Sequence, residues 1–108
     1  MKILNFGSLN LDYVYNVDHM VEAGETLTSA ERNIFCGGKG LNQSIALARA
    51  GARVFHAGQI GAEGEILRST LAQEGIDIRY IKTVDVPTGH ALIQVDKNGQ
   101  NCILLYGG

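Results

Sequence analysis

Two short segments hold the groups that could handle a small polar ligand. Gly37-Gly38-Lys39-Gly40 leads straight into Leu41-Asn42-Gln43-Ser44 and on to Ala50, a run rich in helix formers. Glycines there permit close backbone approach, and the N–H groups of a helix start favour anionic or hydroxyl-rich ligands. The loop is not a Walker A motif, because Lys39 is followed by Gly40 rather than Ser or Thr. Nor is it a dinucleotide fingerprint, since Gln43 stands where the third glycine belongs. As a bare glycine loop, a tight and well-packed turn explains it equally well.

The second segment is Gly7-Ser8-Leu9-Asn10-Leu11-Asp12. In an extended stretch Asn10 and Asp12 project the same way. Asn offers a donor and an acceptor and Asp two acceptor oxygens, a pair suited to neighbouring sugar hydroxyls. Alone, such a pair near a turn is more often an Asx turn. Brought to one place, the two segments would set Asn10, Asp12, Lys39 and Asn42 around one cavity.

These residues need a scaffold. Lys2 to Phe6 reads as a buried strand stopped by Gly7-Ser8, and an open parallel sheet binds ligands beyond the carboxyl ends of its strands. Leu41 to Ala50 reads as a helix with Leu41, Ile45 and Ala48 on one stripe, ended by Gly51. Val54 to Ala57 is a strand candidate, Glu63 to Glu74 a second helix stopped by Gly75, and Ile76 to Ile81 a third strand. This alternation predicts right-handed βαβ units and a parallel sheet. Tyr13 to Val17 and Glu31 to Cys36 read as extended pieces of an insertion spanning 12–36. Ala91-Ile93-Val95, the turn Asp96-Lys97-Asn98-Gly99 and Cys102 to Tyr106 form a hairpin pattern. Hairpin and insertion together predict a second, smaller sheet.

The 108 residues fit one small domain or a piece of a larger one. A hydrophobic fraction of 45%, a charged fraction of 19% and a net charge of −2 describe a globular protein without the basic stripe of a nucleic-acid binder. No apolar run approaches the roughly 20 residues that span a bilayer. Cys36 and Cys102 form no CxxC pair, and with His19, His56 and His90 they give no zinc spacing. Two reduced thiols in a cytoplasmic protein is the expectation.

From Gly37 to Ser44, followed by six residues, Gly51, nine residues and Gly61, the chain matches the first signature of the PfkB carbohydrate kinases throughout. Gly7 to Asp12 and Gly24-Glu25-Thr26-Leu27 resemble the flanking blocks of the ribokinase-like branch, and the resemblance extends through Thr88-Gly89 and the hairpin. It implies an α/β fold: the N-terminal portion of a ribokinase-like three-layer α/β/α sandwich, with a small β-sheet lid formed by about 12–36 and 89–106. It implies a sugar kinase that uses ATP and Mg2+, leaves a monovalent cation open, and acts on ribose or a related sugar. By carry-over Asn10, Asp12, Gly38, Lys39 and Asn42 hold the sugar, and the lid closes over it and often forms a homodimer contact. His90, after the Thr88-Gly89 turn, is expected on the lid surface more than on the ligand.

The resemblance also marks a gap. The family's base is an aspartate in a Gly-Ala-Gly-Asp motif, far along a chain roughly three times this length. No such motif occurs here; Gly61-Ala62-Glu63-Gly64-Glu65 is a decoy, since Gly61 closes the first signature. Glu63 and Glu65 read as helix-start carboxylates. The expectation is therefore an N-terminal third without the catalytic and nucleotide-binding part, inactive alone. The alternative is a non-catalytic sugar-binding or dimerisation module.

Overall fold

A computed structural model describes residues 1–108. Five elements make an α/β unit: β1 (Lys2–Phe6), α1 (Lys39–Arg49), β4 (Arg53–Ile60), α2 (Glu65–Gln73) and β5 (Asp77–Thr83). The strands run parallel in the order β1-β4-β5, with Ile3 beside Val54 and Asn5 beside His56. The second sheet takes β2 (Asn10–Asn16), β3 (Glu31–Gly37), β6 (His90–Val95) and β7 (Asn101–Tyr106) in the order β3-β2-β6-β7. The hairpin and the insertion thus share one sheet. It is mixed: β2 pairs antiparallel with β3 but parallel with β6.

The elements follow from local chemistry. The apolar stripe of α1 places Leu41, Ile45 and Ala48 against the core, and Leu67 and Leu71 do the same from α2. Along β4, Val54, His56 and Ile60 point inward while Arg53 and Gln59 face water. Leu67 and Leu71 are completely buried, so truncating either to Ala would cost about 2–5 kcal/mol. Leu9 and Leu11 join the same core from β2 and the segment before it, which ties the two sheets together.

Both helices cover one face of the parallel sheet. The opposite face is bare: Leu4 is 63% exposed, Phe6 84% and Tyr80 51%. Two of the three layers of an α/β/α sandwich are therefore present in these residues. On the second sheet, Ile103, Leu104 and Leu105 of the edge strand β7 are also exposed.

The second predicted helix divides. Ala62 to Gly64 form a 3₁₀ turn and the α-helix begins at Glu65. Gly64 lies against Ile60 and the Thr88 hydroxyl, which holds that turn close to the sheet.

Candidate functional site

Strands β1, β4 and β5 end on the same side, and a cleft of about 550 Å³ opens there. Gly7, Ser8 and Asn10 line it after β1, Gly58 to Gly61 at the end of β4, and Val84 and Val86 to Gly89 after β5. This is where an open parallel sheet is expected to take a ligand.

The glycine segments meet at the edge of this cleft by close backbone contact. A Cβ on Gly40 would lie 2.6 Å from the Gly7 Cα, and nearer still to the Gly7 carbonyl carbon and the Ser8 nitrogen. Gly38 sits at φ +104°, and a side chain there would meet the Ser8 carbonyl at 2.5 Å. Both positions thus exclude a side chain, one by contact and one by backbone conformation as well. Helix α1 has no side-chain cap of its own and no acidic residue in its first turn. Ser8 serves instead: its Oγ accepts from the Gly40 N–H at 3.3 Å and its carbonyl from the Leu41 N–H at 3.0 Å. The expectation that this helix start offers several N–H groups to a ligand is thereby narrowed, because the Gly40 and Leu41 donors are used within the protein.

Three of the five sequence-predicted residues come together, and of the five only Asn10 lines the cleft itself. Asn10 pairs across the strands with Gly37, and its Oδ1 lies beside Gly89. The Asp12 carboxylate lies against Gly37 on the same face of β2. Gly38 packs on Ser8 and the Asn10 nitrogen. Lys39 and Asn42 occupy the first turn of α1, i and i+3 on one side, with both side chains exposed. His90 does not line the cleft. Its ring stands edge-on to Tyr13 at 5.8 Å and tilts over Tyr106 at 5.2 Å, with Nδ1 2.8 Å from the Thr88 carbonyl.

Across this whole span the sequence matches the model of the pfkB family carbohydrate kinases, from residue 1 to residue 108. The chain belongs to that family. It is 45% identical over 105 residues to the ribokinase of Haemophilus influenzae, covering 94% of this chain and 34% of that protein. Its structure superposes on a ribokinase from Cryptococcus neoformans var. grubii in complex with ADP, with a TM-score of 0.93 and 38% identity over 97% of this chain. It also resembles Arabidopsis thaliana ribokinase complexed with ribose and ATP, at a TM-score of 0.88 and 29% identity over 95% of this chain. These similarities establish the ribokinase-like α/β fold for this family member. The chain spans about a third of the length of the relatives it matches.

Sequence reasoning missed the groups that brace the cleft. Thr88 is buried, and its Oγ1 accepts from the Gly61 N–H at 2.8 Å. The Glu63 carboxylate accepts from the Thr88 N–H. Backbone N–H groups, its own and that of Thr88, hold Glu63 below the usual carboxylate range, with help from the Thr88 hydroxyl. Glu63 is thus a clamp on the loop after β5, a role beyond the helix-start carboxylate expected of it. Glu65 opens α2 and pairs with Arg68. Beneath the glycine segments, Asn5, Ser44 and His56 form a hydrogen-bonded cluster in the core. No spacing rule points to these groups, since the partners are 12 to 39 residues apart.

Proposed function

We propose that the protein carrying this segment is a ribokinase: it phosphorylates a hydroxyl of ribose, or of a closely related sugar, with ATP and Mg2+ as phosphoryl donor and counter-ion. The observation that carries this reading is that Asp12 and Gly38 gather around Asn10, which lines the cleft at the carboxyl ends of the parallel strands, with Lys39 and Asn42 on the adjoining helix turn. Asp12 accepts hydrogen bonds from sugar hydroxyls, Asn10 both donates and accepts, and Lys39 and Asn42 reach others from the helix. The relatives named above support the choice of sugar and nucleotide, one being a ribokinase with ribose and ATP.

The contribution of these residues is to hold and orient the acceptor. Fixing the attacking hydroxyl in line with the phosphoryl group supplies much of the acceleration of phosphoryl transfer, because there is little covalent work for side chains to do. No three His, Cys, Asp or Glu side chains gather into a metal site in this span. The nucleotide, the ion and the base that deprotonates the sugar are assigned to the part of the relatives' length that this span does not cover. In this reading the 108-residue span alone turns over no sugar.

The second sheet is read as the lid. It carries Asn10 and Asp12 on the face that meets the glycine loop, so its closure would cover the sugar and exclude water, the competing phosphoryl acceptor. The exposed apolar edge strand β7 supports a homodimer through this sheet. ATP use and two free thiols favour a cytoplasmic setting.

The test is ribose phosphorylation by the full-length protein and by its Asp12→Asn variant. Removing a charged acceptor should raise the KM for ribose about 10- to 100-fold and leave the KM for ATP unchanged. An Asp12→Asn enzyme with an unaltered ribose KM would overturn the assignment.

A further inference from the structure

The helix-facing side of the parallel sheet is apolar except at one place. Asn5 and His56 are neighbours on β1 and β4, and Ser44 of α1 lies over them, as fully buried as His56 itself. The Gly7 carbonyl sits 3.1 Å from His56 Nε2. A carbonyl can only accept, so Nε2 carries the hydrogen. Nδ1 of the neutral ring is then an acceptor, and the Ser44 hydroxyl at 2.6 Å must donate to it. Ser44 Oγ accepts in turn from Asn5 Nδ2 at 2.9 Å, and that amide also donates to the Gly40 carbonyl at 2.9 Å.

Each group therefore has one role, and the chain of bonds runs through the core from the Gly7 carbonyl to the Gly40 carbonyl. Those are the two glycines whose backbones touch at the edge of the cleft. If packing alone were needed, apolar side chains would fill these three positions with no polar group to satisfy. Ser44 and His56 are buried and Asn5 half-buried; polar groups so placed are tolerable only when paired, and a paired chain fixes geometry more sharply than apolar contact does.

We propose that Asn5, Ser44 and His56 are positioning residues that set the spacing of the Gly7 and Gly40 segments, and through it the placing of Asn10, Asp12, Lys39 and Asn42 about the sugar. The last clause rests on the sugar-site reading above; the spacing itself does not.

The test uses the full-length protein with His56→Phe, which keeps a flat ring one atom larger and removes both bonds, and Ser44→Ala, a break in the same chain that adds no bulk. His56→Gln retains a donor for Gly7 and serves as the conservative rescue. Two readouts are taken: amide hydrogen exchange at Gly40 and Leu41 against that at Ile81, and the KM and kcat for ribose. The Gly40 and Leu41 amides should exchange about tenfold faster in His56→Phe and in Ser44→Ala, with Ile81 unchanged, and recover in His56→Gln. The ribose KM should rise about tenfold with the ATP KM unchanged. Exchange that stays at wild-type rates, or accelerates equally at Ile81, would overturn the positioning role and leave the cluster as core packing. If the wild-type protein does not phosphorylate ribose, the sugar reading fails by itself, and the exchange rates still decide the spacing.

Discussion

Gly40→Ala sets two effects of opposite sign against each other. By helix propensity alone the change should help, since Ala exceeds Gly by about 1 kcal/mol inside a helix. The surroundings say otherwise. The new methyl would stand 2.6 Å from the Gly7 Cα and closer still to two more backbone atoms, where ordinary contact needs about 3.5–4 Å. None of these atoms belongs to a side chain that can rotate away, so the two segments must part by about 1 Å. Parting them strains the bonds from the Gly40 and Leu41 N–H groups to Ser8 and from Asn5 to the Gly40 carbonyl. Overpacking costs about 1–3 kcal/mol and each weakened bond about 0.5–1.5 kcal/mol, so the sum exceeds the propensity gain. A net loss of about 2–4 kcal/mol is expected, read as a lower denaturant midpoint of the full-length protein at constant slope. Gln43→Ala, on an exposed position of the same helix, should stay within about 0.5 kcal/mol of wild type. A Gly40→Ala protein as stable as wild type, with the same ribose KM, would refute the steric reasoning.

Thr88→Val keeps the shape but strands the buried Gly61 N–H, and should cost about 1–3 kcal/mol in denaturant unfolding. The buried imidazole of His56 makes stability depend on pH. Burial pushes its pKa below the ordinary value of 6.5, partly offset by the Gly7 carbonyl bond, so the unfolded chain takes up the proton first. This contribution is therefore fully present above pH 6.5 and declines as pH falls below it. The unfolding midpoint of wild type should drop between about pH 7 and pH 5 more steeply than that of His56→Phe; parallel curves would refute the assignment.

The legible part of the molecule was the part whose residue types admit one explanation. Gly37-Gly38-Lys39-Gly40 has one explanation only within the longer pattern that runs on to Gly51 and Gly61; that Gly38 and Gly40 leave no room for a side chain is visible in the fold alone. The hairpin was legible because Asn98-Gly99 lies between two apolar runs. The parallel pairing of β2 with β6 was not, since their 73 or more intervening residues and equal alternation fit either direction. Local sequence marks Glu63 only as a helix-start carboxylate; its bond to Thr88, 25 residues on, depends on the fold. Asn5, Ser44 and His56 each have a commonplace surface role, and only the register that sets Asn5 beside His56 gives them a joint one.

The chain crosses between its two sheets at residues 7–9, at 38 and at 84–89, and each crossing contains a glycine. Two crossings are also bonded to the element that follows another crossing: the Gly89 carbonyl accepts from the Leu11 N–H of β2, and the Ser8 carbonyl from the Leu41 N–H of α1. Asn10 and Asp12 lie on the second sheet's side of this junction, Lys39 and Asn42 on the helix side. Any swing of the second sheet about the junction must therefore move one pair of proposed sugar contacts relative to the other. A sugar bridging the two pairs would bind best at a single setting of the sheets, so binding and closure would be the same event. That coupling depends on a junction that does not yield, which is what the close Gly7–Gly40 contact and the polar chain beneath it provide.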